Sequence, residues 1–401
     1  MILVFYLFAG ILVLLSAKSL LGGIEYLRFF RTELAKPRSE FTPFVTVIAP
    51  CRGLDPELDI NLEALFRLDY PEYEVVFVVD DKNDPAATVI DRARTGSDRD
   101  WVNSKVVIAN KAKTSSQKVE NLREAVLHAS PESQAFVFVD SDARPSSGWL
   151  RSLVAPLANE NVGAATGYRW FIAKKPNFAS ELRSAWNASI ASALGPNTAS
   201  NFCWGGSMAI RRDTFERLSL RDRWEGTLSD DFAVTRAMNE AKLPILFVPQ
   251  ALTASVEDCS FSEMIEFTTR QMKITRVYAT PLWLLSFFGS ALFNGVLIAS
   301  FLIVVFAHQN GYPVYAALAT ILLIAVCSTG KAWLRLNAVK LVLTDTHDAL
   351  KKQVWTQNTL WILSPAIFLY NCTAALASRR MKWRGTVYEL KSPTETVIIA
   401  D

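Results

Sequence analysis

Residues 136–145 read FVFVDSDARP, an apolar run of strand-forming residues that ends at Asp140-Ser141-Asp142. A short apolar run bounded by polar residues is typical of a strand buried on both faces. Residues two apart on an extended strand point to the same side, so we expect Asp140 and Asp142 to face one ligand. Carboxylate oxygens suit Mg²⁺ or Mn²⁺, which join protein carboxylates to phosphate groups. The alternative is a strand-end turn with solvated acids.

Similar apolar runs surround this one between residues 44 and 258, and we predict them as strands at 45–49, 74–79, 105–108, 162–166 and 245–248. Helical segments such as 118–128 lie between several of them. This alternation predicts an α/β domain with a mostly parallel, Rossmann-like sheet covered on both faces. Ligands of such sheets bind outside the carboxyl ends of the strands, where Asp80-Asp81 and Asp140 follow directly.

The composition narrows the class of protein. The net charge of +3 over 401 residues is too small to predict a polyanionic partner, so we expect no nucleic acid. The five cysteines are scattered, without a C-x-x-C pair or nearby histidines, which argues against a disulfide framework and against a zinc site. Half of the residues are hydrophobic, and they are concentrated in blocks at the two ends.

These blocks predict an integral, multi-pass membrane protein. Residues 2–17 are apolar, with no positive segment before them and no convincing cleavage site after them, so we predict an anchor helix. The stretches 283–307, 313–330 and 359–378 are long enough, or nearly so, to span a bilayer. Basic residues follow the anchor and place the next domain on the cytoplasmic side, which in a bacterium means the inner membrane. They are Arg28, Arg31, Lys36 and Arg38.

The side of the C-terminus stays open. Four spans from an outside N-terminus leave the C-terminus outside, whereas the basic residues of 379–384 indicate the inside. Pro365 favours a broken or re-entrant last segment. Residues 259–282 predict an amphipathic helix on the membrane surface, or one that closes the α/β domain. The predicted domains are 1–40 (anchor and linker), 41–258 (α/β domain), 259–282 (interfacial helix), 283–378 (membrane region) and 379–401 (basic tail).

Three further motifs supply polar groups. In VVFVVDDKNDPA, residues 75–86, Asp81 is placed to accept hydrogen bonds from a base or ribose, and Asp84 precedes Pro85 as a helix N-cap does. In KAKTSSQKVENL, residues 111–122, lysines open a helix whose positive end suits a diphosphate; the alternative is a solvated basic loop.

The last motif pairs WGGSMAIRR at 204–212 with EGTLSDDFA at 225–233. The glycines permit close approach of the backbone to a ligand. Asp230 and Asp231 lie at a predicted helix start, so one of them is expected to cap the helix and the other to act as a general base.

Together these residues resemble the family 2 and family 21 glycosyltransferases of the GT-A fold, especially the ceramide glucosyltransferase branch. The resemblance covers nearly the whole chain. It is carried by N-L-E-x-L-F-x-L-D-Y-P at 61–71, D-x-x-D-P-A at 81–86, K-x-x-N-L at 118–122 and W-R-G-x-x-Y-x-L at 383–390.

The resemblance implies roles for these residues. Asp81 would contact the uridine of a UDP-sugar, Asp140 and Asp142 would serve the diphosphate and its Mg²⁺ or Mn²⁺, and Asp231 would be the catalytic base. The nucleotide-sugar site would then contain Arg52, Asp81, Lys113, Lys118, Asp140, Gly206, Arg270 and Lys273.

One family element departs from its pattern. Q/R-x-x-R-W aligns with Arg270 to Ile274, so that Lys273 replaces arginine and Ile274 replaces tryptophan. Lys273 supplies a point charge without bidentate geometry, and Arg276 is a possible substitute. Since that tryptophan helps to hold the acceptor sugar in polymerising synthases, its replacement disfavours polymer extension.

The resemblance therefore predicts an inverting transfer of one sugar, glucose first, from a UDP-sugar to a lipid of the bilayer such as ceramide, another sphingolipid, a hopanoid or a diacylglycerol. One alternative is a processive membrane polysaccharide synthase. The other is a non-catalytic transporter or scaffold, which is disfavoured because 283–307 and 313–330 contain no ionisable residue suited to a transport path.

Overall fold

The computed structural model of the chain describes residues 2–96, 102–306 and 311–400; Ala307, which ends the predicted stretch 283–307, lies outside them, as do Met1 and Asp401. The chain divides into two compact units. The sheet unit comprises Thr32–Lys175, Ala193–Asp258 and Arg379–Asp401, and the helical unit comprises Met1–Arg31, Pro176–Ser192 and Cys259–Ser378.

A seven-stranded sheet forms the centre of the sheet unit, in the order β3-β2-β1-β4-β7-β5-β8. β1 pairs in parallel with β2 and β4, whereas β7 is antiparallel to both of its neighbours. β6 and β9 form a separate parallel pair. The bounds are β1 Val45–Pro50, β2 Tyr73–Val79, β3 Asn103–Ile108, β4 Ala135–Val139, β5 Ala164–Thr166, β6 Arg169–Ile172, β7 Ser207–Arg211, β8 Ile245–Phe247 and β9 Thr253–Val256.

The predicted α/β fold with a mostly parallel sheet is confirmed. Every residue of β1, β2 and β4 is buried, which explains why these strands are continuous apolar runs in the sequence. The helices of this unit cover the sheet. They are α2 Leu58–Ala64, α3 Pro85–Thr95, α4 Gln117–Ala125, α5 Trp149–Val154, α7 Arg212–Arg217, α8 Leu220–Arg223 and α9 Asp230–Glu240.

Helix caps fix the starts of the two helices that follow β2 and β3. Asp84 is the N-cap of α3, where its side chain accepts a hydrogen bond from the Ala86 backbone and Pro85 occupies the first turn, as predicted. Ser116 caps α4 by accepting from the Val119 backbone at 3.2 Å. These caps set the residues just before each helix at the carboxyl end of the sheet.

Residues 379–401, predicted as a basic tail, fold into an antiparallel three-stranded sheet within the sheet unit, apart from Asp401, which is not described. Its strands are β10 Arg380–Trp383, β11 Thr386–Ser392 and β12 Glu395–Ala400. Tyr388 and Leu390 are fully buried, so this C-terminal sheet is packed onto the unit and does not extend into solvent.

The helical unit holds most of α1 Ile2–Leu34 together with α6 Phe178–Ala191, α10 Phe261–Tyr278, α11 Thr280–Phe306, α12 Tyr312–Lys340, α13 His347–Thr359 and α14 Ser364–Ala377. Three of these, α1, α11 and α12, are long and apolar enough to cross a membrane. Only 17–22% of the most apolar window of each is buried, so their outer surfaces present apolar side chains of the kind that a bilayer covers.

The last apolar stretch is bent. The segment Thr344–Ile362 and helix α14 meet at an angle of 58°, and counting the two as one broken span gives up to four spans. Pro365 lies in the first turn of α14, where proline starts a helix and cannot continue one from before. The broken segment predicted from Pro365 matches this bend.

Helix α12 continues beyond the apolar stretch 313–330. Lys331 donates to Ser19 of α1 at 3.0 Å, and the buried Arg335 lies 3.4 Å from the side-chain oxygen of Gln357 on α13. These polar contacts join α12 to the neighbouring helices at the end of the apolar segment.

Candidate active site

The acidic cluster, Asp140-Ser141-Asp142, lies at the carboxyl end of β4, but its backbone geometry differs from that of an extended strand. β4 ends at Val139, and the backbone of Ala143 donates to the carbonyl of Asp140 at 3.1 Å, so that the cluster forms a turn. The strand alternation from which we expected a shared direction therefore does not extend to Asp140 and Asp142, and a ligand shared by the two stays a prediction. The chain leaves the sheet edge immediately after β4, and each carboxylate meets a different cation.

Lys118 is the partner of Asp140. Its ammonium nitrogen lies 2.7 Å from Asp140 Oδ1 and 3.2 Å from Asp230 Oδ1, which joins the end of β4 to the start of α9. Burial by itself lowers the pKa of Lys118, but the carboxylates of Asp140 and Asp230 outweigh it and raise that pKa above its usual value. Lys118 is therefore held as a cation between two acids.

The two acids respond differently to this cation. Burial raises the pKa of Asp140, but the charges of Lys118 and Arg169 outweigh it, and the pKa of Asp140 is lowered. Burial raises the pKa of Asp230 to about 6, since Lys118 opposes it only in part and neighbouring carboxylates add to it. Asp230 therefore protonates more readily than Asp140.

Asp142 is paired with Arg169, a residue that was not predicted as part of the site. Arg169 Nη1 lies 3.1 Å from Asp142 Oδ2, and the guanidinium lies over the Trp204 ring, 4.9 Å from its centroid. The other carboxylate oxygen, Asp142 Oδ1, is buried and has no hydrogen-bond partner among the described residues. An orphaned buried oxygen of this kind is a position where a bound ion, a water or a ligand would complete the contacts.

Asp231 lies in the first turn of α9, next to the glycines of the WGGS motif. The N-cap of α9 is Ser229, so the prediction that Asp230 or Asp231 caps this helix is wrong. Asp231 Oδ1 accepts hydrogen bonds from the Ser229 hydroxyl and from the Phe232 backbone, and the Gly205 backbone points at Oδ2 from 3.5 Å. The carboxylate is half-buried and oriented by these donors.

The glycines leave no room for a side chain. A Cβ on Gly205 would lie 2.1 Å from Asp230 Oδ2 and 2.8 Å from Lys118 Nζ. A Cβ on Gly206 would lie 2.2 Å from the ring of Trp204. Glycine is therefore required here so that the backbone can pass beside the Lys118 ion pairs.

At the end of β2 the two neighbouring acids lie in different environments. Asp80 is buried, 2.8 Å from Lys111 Nζ and 3.7 Å from Arg52 Nε. Asp81, predicted to contact uridine, is exposed and accepts a local hydrogen bond from the Asn83 backbone. The buried Asp80 thus orients two basic side chains, which the sequence alone did not indicate.

The remaining predicted residues lie on other segments of the chain. Lys113 is exposed in the loop before α4. Arg270 and Lys273 lie on α10 of the helical unit, where Arg270 stacks over Phe267 and burial lowers the pKa of Lys273. Arg276, the possible substitute, donates to the Ala375 carbonyl at 2.5 Å and so caps α14.

Two more residues join the cluster without having been predicted as part of the site. Asp55 accepts a hydrogen bond from Ser141 Oγ at 2.5 Å, and Arg384, from the turn of the C-terminal sheet, lies 2.7 Å from Asp55 Oδ1. Arg384 belongs to the W-R-G-x-x-Y-x-L motif, which was the one feature of the sequence that could have indicated its place in the site. Asp55 stands in a loop and had no such feature.

The carboxylate oxygens of Asp140 and Asp142 fit a hard divalent cation only if a bound substrate supplies further oxygen ligands. Among residues 2–96, 102–306 and 311–400, no group of three or more histidine, cysteine, aspartate or glutamate side chains is arranged to hold a metal ion. Asp140 and Asp142 supply carboxylate oxygens, and Asp142 Oδ1 lacks a partner. Mg²⁺ is commonly held by one or two carboxylates together with substrate phosphates, so the pair fits such an ion.

A family model described as glycosyl transferase family 21 matches residues 11–396. A ceramide glucosyltransferase from Candida albicans is 31% identical over 134 residues, which is 31% of this chain and 24% of that protein. One from Komagataella phaffii is 32% identical over 68 residues, 17% of this chain and 13% of that protein. The matches thus span less than a quarter of the length of either relative.

Solved structures also resemble the chain. One is the mannosyltransferase PcManGT from Pyrobaculum calidifontis, in complex with GDP-Man and Mn²⁺, at 18% identity and a TM-score of 0.42 over 90% of this chain and 99% of that one. Another is S. aureus TarS 1-349 in complex with UDP, at 14% identity and a TM-score of 0.37 over 88% and 98% of the two chains.

Proposed function

Because the chain belongs to glycosyl transferase family 21, we propose that it transfers one sugar from a UDP-sugar to the hydroxyl of a membrane lipid such as ceramide. Glucose is the leading candidate for this sugar. The family match confirms the resemblance drawn from the sequence, and the mostly parallel sheet agrees with the GT-A fold class. The choice of donor and acceptor is supported by the ceramide glucosyltransferases that it matches in part.

One observation carries the proposal. Lys118 forms ion pairs with both Asp140 and Asp230, so that the acids after β4 lie beside the acids that open α9. Glycosyl transfer from a nucleotide sugar needs two functions close together. Charge on a diphosphate must be neutralised, and a proton must be removed from the acceptor. Asp140 and Asp142 suit the neutralisation of charge, through a divalent cation that they would hold, and Asp231 suits the removal of the proton.

Asp140 and Asp142 are the residues that would hold Mg²⁺ or Mn²⁺ with the diphosphate. When bound, the cation neutralises the charge that develops on the leaving UDP. Lys118 then stands beside Asp140 as a protein cation that is already desolvated. Arg52 and Lys111 add positive charge near the end of β2, where Asp81 would contact the uridine, and Lys113 stays a candidate from the loop before α4.

Asp231 is the proposed base. As the acceptor hydroxyl oxygen bonds to the anomeric carbon, the bond between that carbon and the diphosphate oxygen breaks, and Asp231 takes the hydroxyl proton. The products are a glycolipid of inverted configuration and UDP. Ser229 and the Phe232 backbone orient the carboxylate by donating to one of its oxygens. They fix it in position before the acceptor binds.

The helical unit supports a lipid acceptor. α1, α11 and α12 are each long and apolar enough to cross a bilayer, which makes this a membrane protein. The basic residues that follow the apolar stretch 2–17 favour a cytoplasmic sheet unit as part of this proposal. Arg270 and Lys273 on α10 remain candidates for binding the donor, and the position of Lys273 and Ile274 in the family pattern favours transfer of one sugar over polymer extension.

The direct test is product analysis. Membranes from a host that expresses the chain are incubated with labelled UDP-sugars and with ceramide, diacylglycerol or the host's own lipids. The lipid extract is then separated by chromatography. The proposal expects a labelled lipid that carries one sugar, with UDP-glucose as the first donor. Long saccharide chains would support a processive synthase, and the absence of labelled product with every donor would overturn the proposal.

A further inference from the structure

The C-terminal sheet turns sharply at Arg384-Gly385. Trp383 of β10 pairs directly with Thr386 of β11, which leaves a two-residue turn, and both turn residues have positive φ angles, 47° for Arg384 and 90° for Gly385. Asn-Gly and Gly-Gly are the usual residues of such a turn, because glycine, and to a lesser extent asparagine, adopts positive φ readily. An arginine is uncommon at this position.

That side chain is directed into the acidic cluster. Arg384 Nη2 lies 2.7 and 2.9 Å from the two oxygens of Asp55, and Nη1 donates to the carbonyl of Arg52 at 2.5 Å. Asp55 in turn accepts from the hydroxyl of Ser141. The guanidinium is therefore linked through one carboxylate to the middle residue of Asp140-Ser141-Asp142.

The electrostatic field of Arg384 reaches the two acids beside Ser141. Burial by itself lowers the pKa of Arg384, but the charges of Asp55, Asp142 and Asp140 raise it, and Arg384 in turn helps to lower the pKa of Asp140. The guanidinium of Arg384 is thus one of the positive charges that act on these acids, together with Lys118 and Arg169.

Three contacts hold the C-terminal sheet against segments that carry site residues. Arg52 donates to Thr386 Oγ1 at 3.1 Å, and the Gln117 backbone donates to the Tyr388 hydroxyl at 3.3 Å, at the start of α4. A Cβ on Gly226 would lie 2.2 Å from the Thr394 carbonyl, so this glycine, at φ 74°, lets the sheet pack closely. The turn that presents Arg384 is supported on several sides.

We propose that Arg384 is a donor-binding residue, held by Asp55 at the turn of the C-terminal sheet, whose guanidinium binds the diphosphate oxygens of the nucleotide sugar. This rests on the proposed function. An arginine offers a planar fork that matches phosphate oxygens, and Lys273, which replaces the arginine of the family pattern, does not. Asp55 keeps the guanidinium oriented in the free protein, and phosphate oxygens exchange with part of that contact on binding.

The experiment measures binding and not turnover. The full chain, purified in detergent, is titrated with UDP and with UMP in the presence of Mn²⁺. We expect Arg384→Ala to weaken UDP binding by about tenfold or more, as loss of a charge-assisted contact to phosphate does, and to affect UMP much less. Arg380→Ala is the matched control, because Arg380 lies in the same C-terminal sheet, exposed and paired with Glu389.

The outcomes separate this assignment from the proposed function. If UDP binds the Arg384→Ala variant as tightly as it binds the Arg380→Ala variant, the assignment is wrong while the proposed function stands. If the unaltered chain binds no UDP, both fall together. Should Arg384→Ala fail to fold, Arg384→Lys is titrated instead, and we expect it to keep only part of the affinity for UDP.

A hydrogen-exchange measurement gives a second readout. Addition of UDP to the unaltered chain should slow exchange at the turn 383–386 because phosphate adds a further contact to the guanidinium that Asp55 already orients. Unchanged exchange there, with slowed exchange elsewhere in the sheet unit, would contradict the assignment.

Discussion

Lys118 lies between Asp140 and Asp230, 2.7 Å from the first carboxylate and 3.2 Å from the second. The two acids come from the end of β4 and the start of α9, so this one side chain joins the segment that suits a metal and diphosphate to the segment that carries the proposed base. A buried cation between two carboxylates also means that each of the three depends on the others for its charge.

Replacing Lys118 tests that dependence. In Lys118→Met the two carboxylates lose their shared cation while they remain buried, so we expect a lower unfolding free energy, by about 3–5 kcal/mol, and loss of nearly all activity. Lys36→Met, at an exposed lysine of a surface ion pair, is the matched control and should change neither. A chemical denaturation curve in detergent that is unchanged by Lys118→Met would contradict the arrangement.

The raised pKa of Asp230 predicts a pH dependence of stability. The folded protein keeps this proton up to about pH 6, whereas the unfolded chain releases it near the ordinary value of 3.8. Between these values the folded state binds more protons, so stability falls as the pH rises through the window. In Asp230→Asn this contribution is absent.

The measurement is the unfolding free energy of wild type and Asp230→Asn across that pH range. The difference, variant minus wild type, should grow from about pH 4 to about pH 6 and then level off. A difference that shrinks over the same window would mean that Lys118 holds Asp230 ionised and that its pKa is lowered.

Asp142 should set the requirement for a divalent cation. We expect a chelator to abolish transfer, Mg²⁺ or Mn²⁺ to restore it, and Asp142→Asn to raise the concentration of cation needed by an order of magnitude or more, since one of the two carboxylate ligands is lost. Glu225→Gln, at an exposed acid, serves as the control. An unchanged cation titration for Asp142→Asn would remove Asp142 from the metal site.

Gly205 should tolerate no side chain. A methyl group in Gly205→Ala would meet Asp230 Oδ2 at 2.1 Å and Lys118 Nζ at 2.8 Å, so the ion pairs must move apart. We expect a loss of about 1–3 kcal/mol in unfolding free energy and a fall in turnover. Gly148→Ala, where a Cβ meets nothing within 4 Å, should behave as wild type. Equal stability of the two variants would show that the site relaxes without cost.

Local patterns predicted the frame of the fold well. β1, β2 and β4 are buried on both faces, so each is an apolar run in the sequence. The cap of α3 is recognisable in the sequence as Asp84-Pro85. β6 and β9 escaped prediction because they are short and mix polar with apolar residues. β7, which pairs antiparallel with β4, breaks the βαβ alternation on which the prediction relied.

The site depended more on contacts between distant segments. Asp140 and Asp142 were predicted from their place after β4, but their cations, Lys118 and Arg169, come from other segments that the fold brings together. Arg384 was visible only as part of a motif, since nothing local shows that residues 379–401 return to the acids. Charge pairs of this kind depend on how the fold brings distant segments together, and a single sequence does not show this arrangement.

The role of Asp231 as base is the central claim, and one measurement tests it most directly. UDP binding and single-sugar transfer to lipid are measured for Asp231→Asn beside Asp222→Asn, an exposed acid of α8. The account predicts that Asp231→Asn binds UDP as wild type does but transfers sugar at least about a hundredfold more slowly, whereas Asp222→Asn transfers normally. Unchanged turnover by Asp231→Asn, with UDP binding intact, would contradict it.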